Sequence, residues 1–190
     1  MENIKTIHLE PADIFLTRGN SLLSKAIRFF STSIGESRAK VNHVGLVATK
    51  GSVYDCMVIE ALSKVKKHTM WKQYGPFKKD LVAVYRPLNL TQDETELILK
   101  TANKQVGRKY GYLKIVAHLL DWFLLGAYVF RRLTNDERYP ICSWLVAHSF
   151  AKAGKYFGVK PGAAEPDDIW DFVTQNPKKY KEMFPLSRIW

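Results

Sequence analysis

The sequence predicts an α+β fold in which a small antiparallel sheet packs against helices. Three observations carry this expectation. The first part of the chain holds several short β-rich runs and one helical run. Two of those β-rich runs, around residues 43–61, lie close enough to pair as a hairpin. The second half reads mostly as helices, which segregates helix from strand along the chain. At 190 residues, 46% hydrophobic and 25% charged, the chain has the composition of an ordinary globular protein and can bury a sizeable core in one domain.

Each element has its own signal. ADIFL (12–16) reads as a short strand. NSLLSKAIRFFST (20–32) places Leu22, Leu23, Ala26, Ile27 and Phe30 at helical spacing, with Asn20 or Ser21 to cap it. After the polar connection GESRAKVN come the β-rich runs HVGLVAT (43–49) and VYDCMVIEA (53–61), separated by Lys50, Gly51 and Ser52. The basic stretch 63–80 reads as an irregular loop with a short helix. LVAVYR (81–86) is a strand ended by Pro87. In LTQDETELILKTANKQVG (90–107) Thr91 and Glu94 form a capping box, and Gly107 stands at the exit of the helix. A helical segment is expected near 113–132. YPICSWLVAHSFAKAG (139–154) repeats apolar residues at Leu145, Val146, Phe150 and Ala153, with Gly154 as its stop. Residues 155–190 read as a C-terminal extension with a short helix at DDIWDFV (167–173) and a loose end.

Charge and cysteine usage narrow the partners. The net charge is +11, with clusters at Lys64, Lys66 and Lys67, at Lys78 and Lys79, at Arg131 and Arg132, and at Lys178, Lys179 and Lys181. Such a field favours anionic surfaces, and no run resembles a nucleic-acid motif. The segment 113–130 is broken by Lys114, His118 and Asp121, so no transmembrane segment is expected. MENIKTIHLEP lacks the apolar core of a secretory signal, and two cysteines make no disulfide framework, which points to a cytoplasmic location. No cofactor or metal is expected.

The chemistry centres on Cys142, which falls in the first turn of its predicted helix. There the helix dipole favours a thiolate over a thiol. A small buried apolar residue is the alternative reading. Among five histidines, His43 is distinguished by opening a strand, with Gly45 two residues on to leave room for another group. If Gly51 and Ser52 form a two-residue loop, Lys50 pairs with Val53 and His43 faces Glu60. Cβ atoms of opposed residues lie about 4.5–5.5 Å apart, within reach of an imidazole–carboxylate hydrogen bond. The same register puts Cys56 opposite Val47 on the His43 face, too far along the strand to share the imidazole. A core histidine and a strand-edge salt bridge remain the structural alternatives for His43 and Glu60.

The runs HVGLV (43–47), VIEA (58–61) and YPICSWLV (139–146), in that order, resemble the circularly permuted NlpC/P60 papain-like proteins, and within them the YiiX/YebB-like group. PADIFL (11–16) is similar to the family's Gly-Asp-Ile strand, and GRKYGY (107–112) to its Gly-x-x-Tyr-Asp segment. The resemblance implies a single permuted domain over residues 1–190, with Cys142 as nucleophile, His43 as general base and later acid, and Glu60 as the group orienting the imidazole. It also implies a cysteine peptidase or amidase acting on a peptide or cell-wall fragment, with Tyr110 and Trp144 as substrate-side candidates. Trp144 and Gly111 depart from the family pattern of Cys-Ser-Glu-Leu and Tyr-Asp. Two alternatives follow from the same resemblance: an acyl hydrolase or acyltransferase on lipid at an anionic membrane, and a virion or binding component that keeps the fold without turnover.

Overall fold

The β-rich runs become the strands of one sheet. The computed structural model describes residues 7–19, 39–75, 79–109 and 141–188. Among them lie six strands and four helices: β1 (Ile14–Arg18), β2 (His43–Val47), β3 (Met57–Ala61), β4 (Val65–Thr69), α1 (Met70–Tyr74), β5 (Leu81–Pro87), α2 (Gln92–Asn103), α3 (Cys142–Lys152), α4 (Pro166–Gln175) and β6 (Tyr180–Arg188). The sheet runs β4-β3-β2-β1-β5-β6, and every neighbouring pair is antiparallel. The helical expectations at 20–32 and near 113–132 lie outside the described residues.

Side-chain alternation splits the core into two layers. On one face Ile14, Leu16, Val44, Leu46, Ile59 and Ala61 pack with Leu145, Val146 and Phe150 of α3, Ile98 of α2 and Ile169 of α4. On the other, Phe15, Val47, Val58, Val82 and Val84 pack with Met70 and Tyr74 of α1 and with Val53 and Cys56 of the loop before β3. Covering both faces explains why HVGLV is apolar throughout rather than alternating. The predicted capping box on α2 is present, with Glu94 N–H donating to Thr91 Oγ1 and Thr91 N–H to the Glu94 carboxylate. Asp13, fully buried, is gripped by Arg86 through both carboxylate oxygens at 2.9 and 2.7 Å, which ties the start of β1 to the end of β5.

Three expectations are corrected. The run 53–61 is a strand only from Met57, because Asp55 accepts hydrogen bonds from Ser52 N–H and Oγ and turns residues 52–56 into a loop. With that longer connection Leu46 pairs with Ile59 and Val47 with Val58, two positions away from the tight-hairpin register. The basic stretch holds a strand, β4, which the lysines of VKKHT hide from a hydrophobic pattern. The chain end is not loose. YKEMFPLSR forms β6 at the sheet edge, where Pro185 costs no interior hydrogen bond.

Candidate active site

Glu60 lies at the centre of the site. It sits on β3 with its side chain fully buried. A buried carboxylate is costly unless donors surround it, and three side chains do so. His43 Nε2 lies 2.5 Å from Oε2, and the Tyr74 hydroxyl donates to the same oxygen at 2.6 Å. His68 Nε2 lies 2.9 Å from Oε1, off the line of a well-formed hydrogen bond, so this contact is chiefly an ion pair. Burial alone would push Glu60 up, but the hydrogen bond from His43, the contact with His68, the charge of His43 and the Tyr74 hydroxyl hold it down at about 2.

The register correction changes how His43 reaches this carboxylate. In the observed register Glu60 stands across from Gly45, and His43 approaches it on the diagonal from the same face. A two-residue shift preserves the face, whereas one residue would have reversed it. A Cβ at Gly45 would lie 2.3 Å from Phe15 Cζ and 3.0 Å from the Glu60 Cβ, so the missing side chain makes room for both. His68, on β4 opposite Val58, reaches Glu60 diagonally from the other side. Cys56 falls in the loop rather than across from Val47, and burial pushes its thiol up to about 11.

Cys142 is the first residue of α3, with no acidic side chain in the first turn. Its sulfur lies close enough to the His43 imidazole for hydrogen bonding and charge to couple the two groups. Because Nε2 is directed at Glu60, Nδ1 is the nitrogen left for the thiol. Burial would lower the imidazole. The charge and hydrogen bond of Cys142, then those of Glu60, outweigh it and raise His43 to about 10. The imidazole side chain keeps 15% of its surface exposed. The strand that carries it is fixed from behind: Asn42 accepts from Gly19 N–H at 3.0 Å, and Asp167 at the start of α4 accepts from Lys40 N–H at 2.8 Å.

The three residues singled out from sequence therefore meet in one place. Trp144 is buried, its ring stacked on His148 at 4.4 Å. Two residues from Cys142, it is turned about 200° round the helix. Tyr110 lies outside the described residues. Tyr74 and His68 escaped the sequence reading. Tyr74 sits on a helix of one turn, and His68 on a strand whose alternation is masked by lysines. His68 Nδ1 faces the Thr69 carbonyl at 3.0 Å while Nε2 faces the carboxylate, a pairing that requires both nitrogens to carry protons. The contact with Glu60 accordingly raises its pKa, against the opposing effect of burial.

No family model and no curated protein matches the sequence. A solved structure does. The chain is similar in fold to yiiX. That protein, described as the metalloprotein yiiX from Escherichia coli O157:H7 (DUF1105), superposes with a TM-score of 0.55 at 17% identity, over 94% of this chain and 86% of that one. The likeness shows a shared α+β fold. Among the described residues, no three His, Cys, Asp or Glu side chains converge as a metal ion would require. The donor set also argues against one here, since His43 and His68 both spend Nε2 on Glu60.

Proposed function

We propose that the chain is a thiol hydrolase of the permuted papain-like (NlpC/P60) kind, cleaving an amide bond in a peptide or peptidoglycan-like substrate. One observation carries this reading: His43 is held between Glu60 and Cys142, and Cys142 opens a helix. Carboxylate, imidazole and sulfur in series are what nucleophilic catalysis by cysteine requires.

The steps follow from the positions. His43 Nδ1 takes the proton of Cys142, and the helix N-terminus stabilises the thiolate that results. The sulfur attacks the carbonyl carbon, and the charge gathering on the oxygen is met by backbone N–H groups of the first turn of α3. The C–N bond breaks as His43 returns the proton to the leaving amine. A water molecule, deprotonated by the same imidazole, then attacks the thioester and releases the acid. Glu60 stays ionised throughout, holding the ring in the productive tautomer and countering its positive charge.

The test is titration of Cys142 with iodoacetamide in a Cys56→Ala background, read by mass spectrometry across pH. Stoichiometric labelling should persist well below the ordinary thiol value of about 8.5. His43→Asn should return the profile to that ordinary range. A profile that already sits there in the parent protein defeats the reading. A substrate panel follows: turnover of peptide amides supports the amidase, and turnover of esters alone would move the assignment to acyl transfer.

A further inference from the structure

Next to His68, the partner of Glu60 on β4, the fold builds a concavity that the proposed hydrolysis does not use. It encloses about 450 Å³ and is lined by Lys64, Lys66 and Lys67, with His68 from β4, Lys72 and Gln73 from α1, and Val106 and Gly107 from the turn after α2. Four lysines thus line one hollow, and none of the four forms an ion pair with a carboxylate among the described residues.

Lysines on an outer strand commonly serve to keep that edge from pairing with another chain. Here the backbone takes over part of that duty. Gly107 N–H donates to the Val65 carbonyl at 2.9 Å, Val65 N–H donates to the Arg108 carbonyl at 2.9 Å, and Lys64 bridges to Lys109. The segment after α2 therefore pairs with the start of β4 at Val65, and the lysines around it form the walls. They come from two elements, a strand and the helix after it, so the cluster is a product of folding and not only a run in the sequence. Like charges lining one hollow repel one another, and an anion between them relieves the repulsion. Lysine binds phosphate as a compact point charge with several donors, and Gln73 adds an amide at the same wall.

We propose that this pocket binds a phosphate group, carried on a soluble molecule or on a lipid headgroup. The exposed Val106 at the rim supplies apolar surface for whatever the phosphate is attached to. His68 is the link to the rest of the molecule: one side of its ring lines the hollow while Nε2 holds Glu60.

The experiment follows the His68 imidazole by ¹⁵N NMR while inorganic phosphate is titrated into the full chain, at constant ionic strength. A saturable shift at His68 is expected. Lys64→Gln/Lys72→Gln, which removes one exposed charge from each wall, should weaken the binding by about tenfold. Lys178→Gln/Lys181→Gln, an equal loss of charge elsewhere, should leave it unchanged. No saturable shift, or equal weakening in both double variants, overturns the proposal, because bulk charge would then account for everything. A second arm separates the two carriers. Sedimentation with phosphatidic acid vesicles but not with phosphatidylcholine alone, lost in Lys64→Gln/Lys72→Gln, assigns the phosphate to lipid. A His68 shift without such sedimentation assigns it to a soluble molecule. Neither arm reads turnover, so the outcome stands or falls separately from the role of Cys142.

Discussion

Glu60 has two separable duties at the site, orientation and charge. Its Oε2 accepts from His43 and Tyr74, and its Oε1 faces His68. In Glu60→Gln the amide oxygen can keep the His43 and Tyr74 contacts while the NH₂ group turns to a neutral His68 Nε2. Orientation survives this change and the negative charge does not. The imidazolium of His43 then loses a counter-charge, and each unit of pKa lost reduces the ion-paired thiolate tenfold. Iodoacetamide labelling of Cys142 near pH 6 should slow by about tenfold or more, with the far-UV spectrum unchanged. Glu60→Ala removes both duties and strands two histidines and a tyrosine in a buried space. Its cost should be about 3–5 kcal/mol in urea unfolding. Equal labelling rates in Glu60→Gln and the parent protein would mean the carboxylate serves only the fold.

At the scale of the strand pair, the decisive residue is Gly45. Its position opposite Glu60 lets Phe15 cross beneath the strand, and Phe15 in turn packs edge-on against Tyr74 at 5.5 Å between ring centres. Gly45→Ala should therefore cost about 1–3 kcal/mol through overpacking. It should also slow Cys142 labelling, since Phe15, Tyr74 and Glu60 must shift together. A variant as stable and as reactive as the parent would remove the glycine from the site's architecture. The same strands mark how far sequence alone reaches. The face shared by His43 and Glu60 was legible, because strand alternation has a period of two and survives an even error in register. The register itself was not, because Asp55 closes the 52–56 turn through contacts that no hydrophobic pattern records. The α2 cap was legible because Thr91 and Glu94 are local to one another. The contact between Cys142 and His43 spans most of the chain and follows from no spacing. It entered through resemblance. β4 was missed because its solvent-facing and site-facing positions are both polar, and β6 because an edge strand tolerates proline.

At the scale of the whole molecule, the site is assembled from both ends of the chain. Asp167, near the C-terminus, sets the backbone just before His43, while β6 closes the sheet that carries it. Stability and site electrostatics are therefore linked, and pH should expose the link. Glu60 is held at about 2, below its ordinary 4.5, so the folded chain binds that proton more weakly than the unfolded one. Its contribution is present above about pH 4.5 and is lost as pH falls toward 2. His68 is raised above its ordinary 6.5, chiefly by its contact with Glu60, so its contribution is full below 6.5 and is lost as pH rises beyond it. Between these limits both are present. Asp168, pushed up to about 6 by burial, acts in the opposite sense over the acid range, so the parent curve alone does not isolate the pair. The difference between the parent and Glu60→Gln does, because Asp168 is common to both. That difference in unfolding free energy should be greatest between about pH 4.5 and 6.5. On the acid side it should shrink by about 3 kcal/mol as Glu60 takes up its proton. On the alkaline side it should shrink as His68 and His43, both raised in part by Glu60, lose theirs, and His68→Gln should reduce that limb while leaving the acid limb in place. Urea unfolding across pH measures all three curves, and parallel curves for parent and Glu60→Gln would mean that the buried carboxylate is not ionised in the fold.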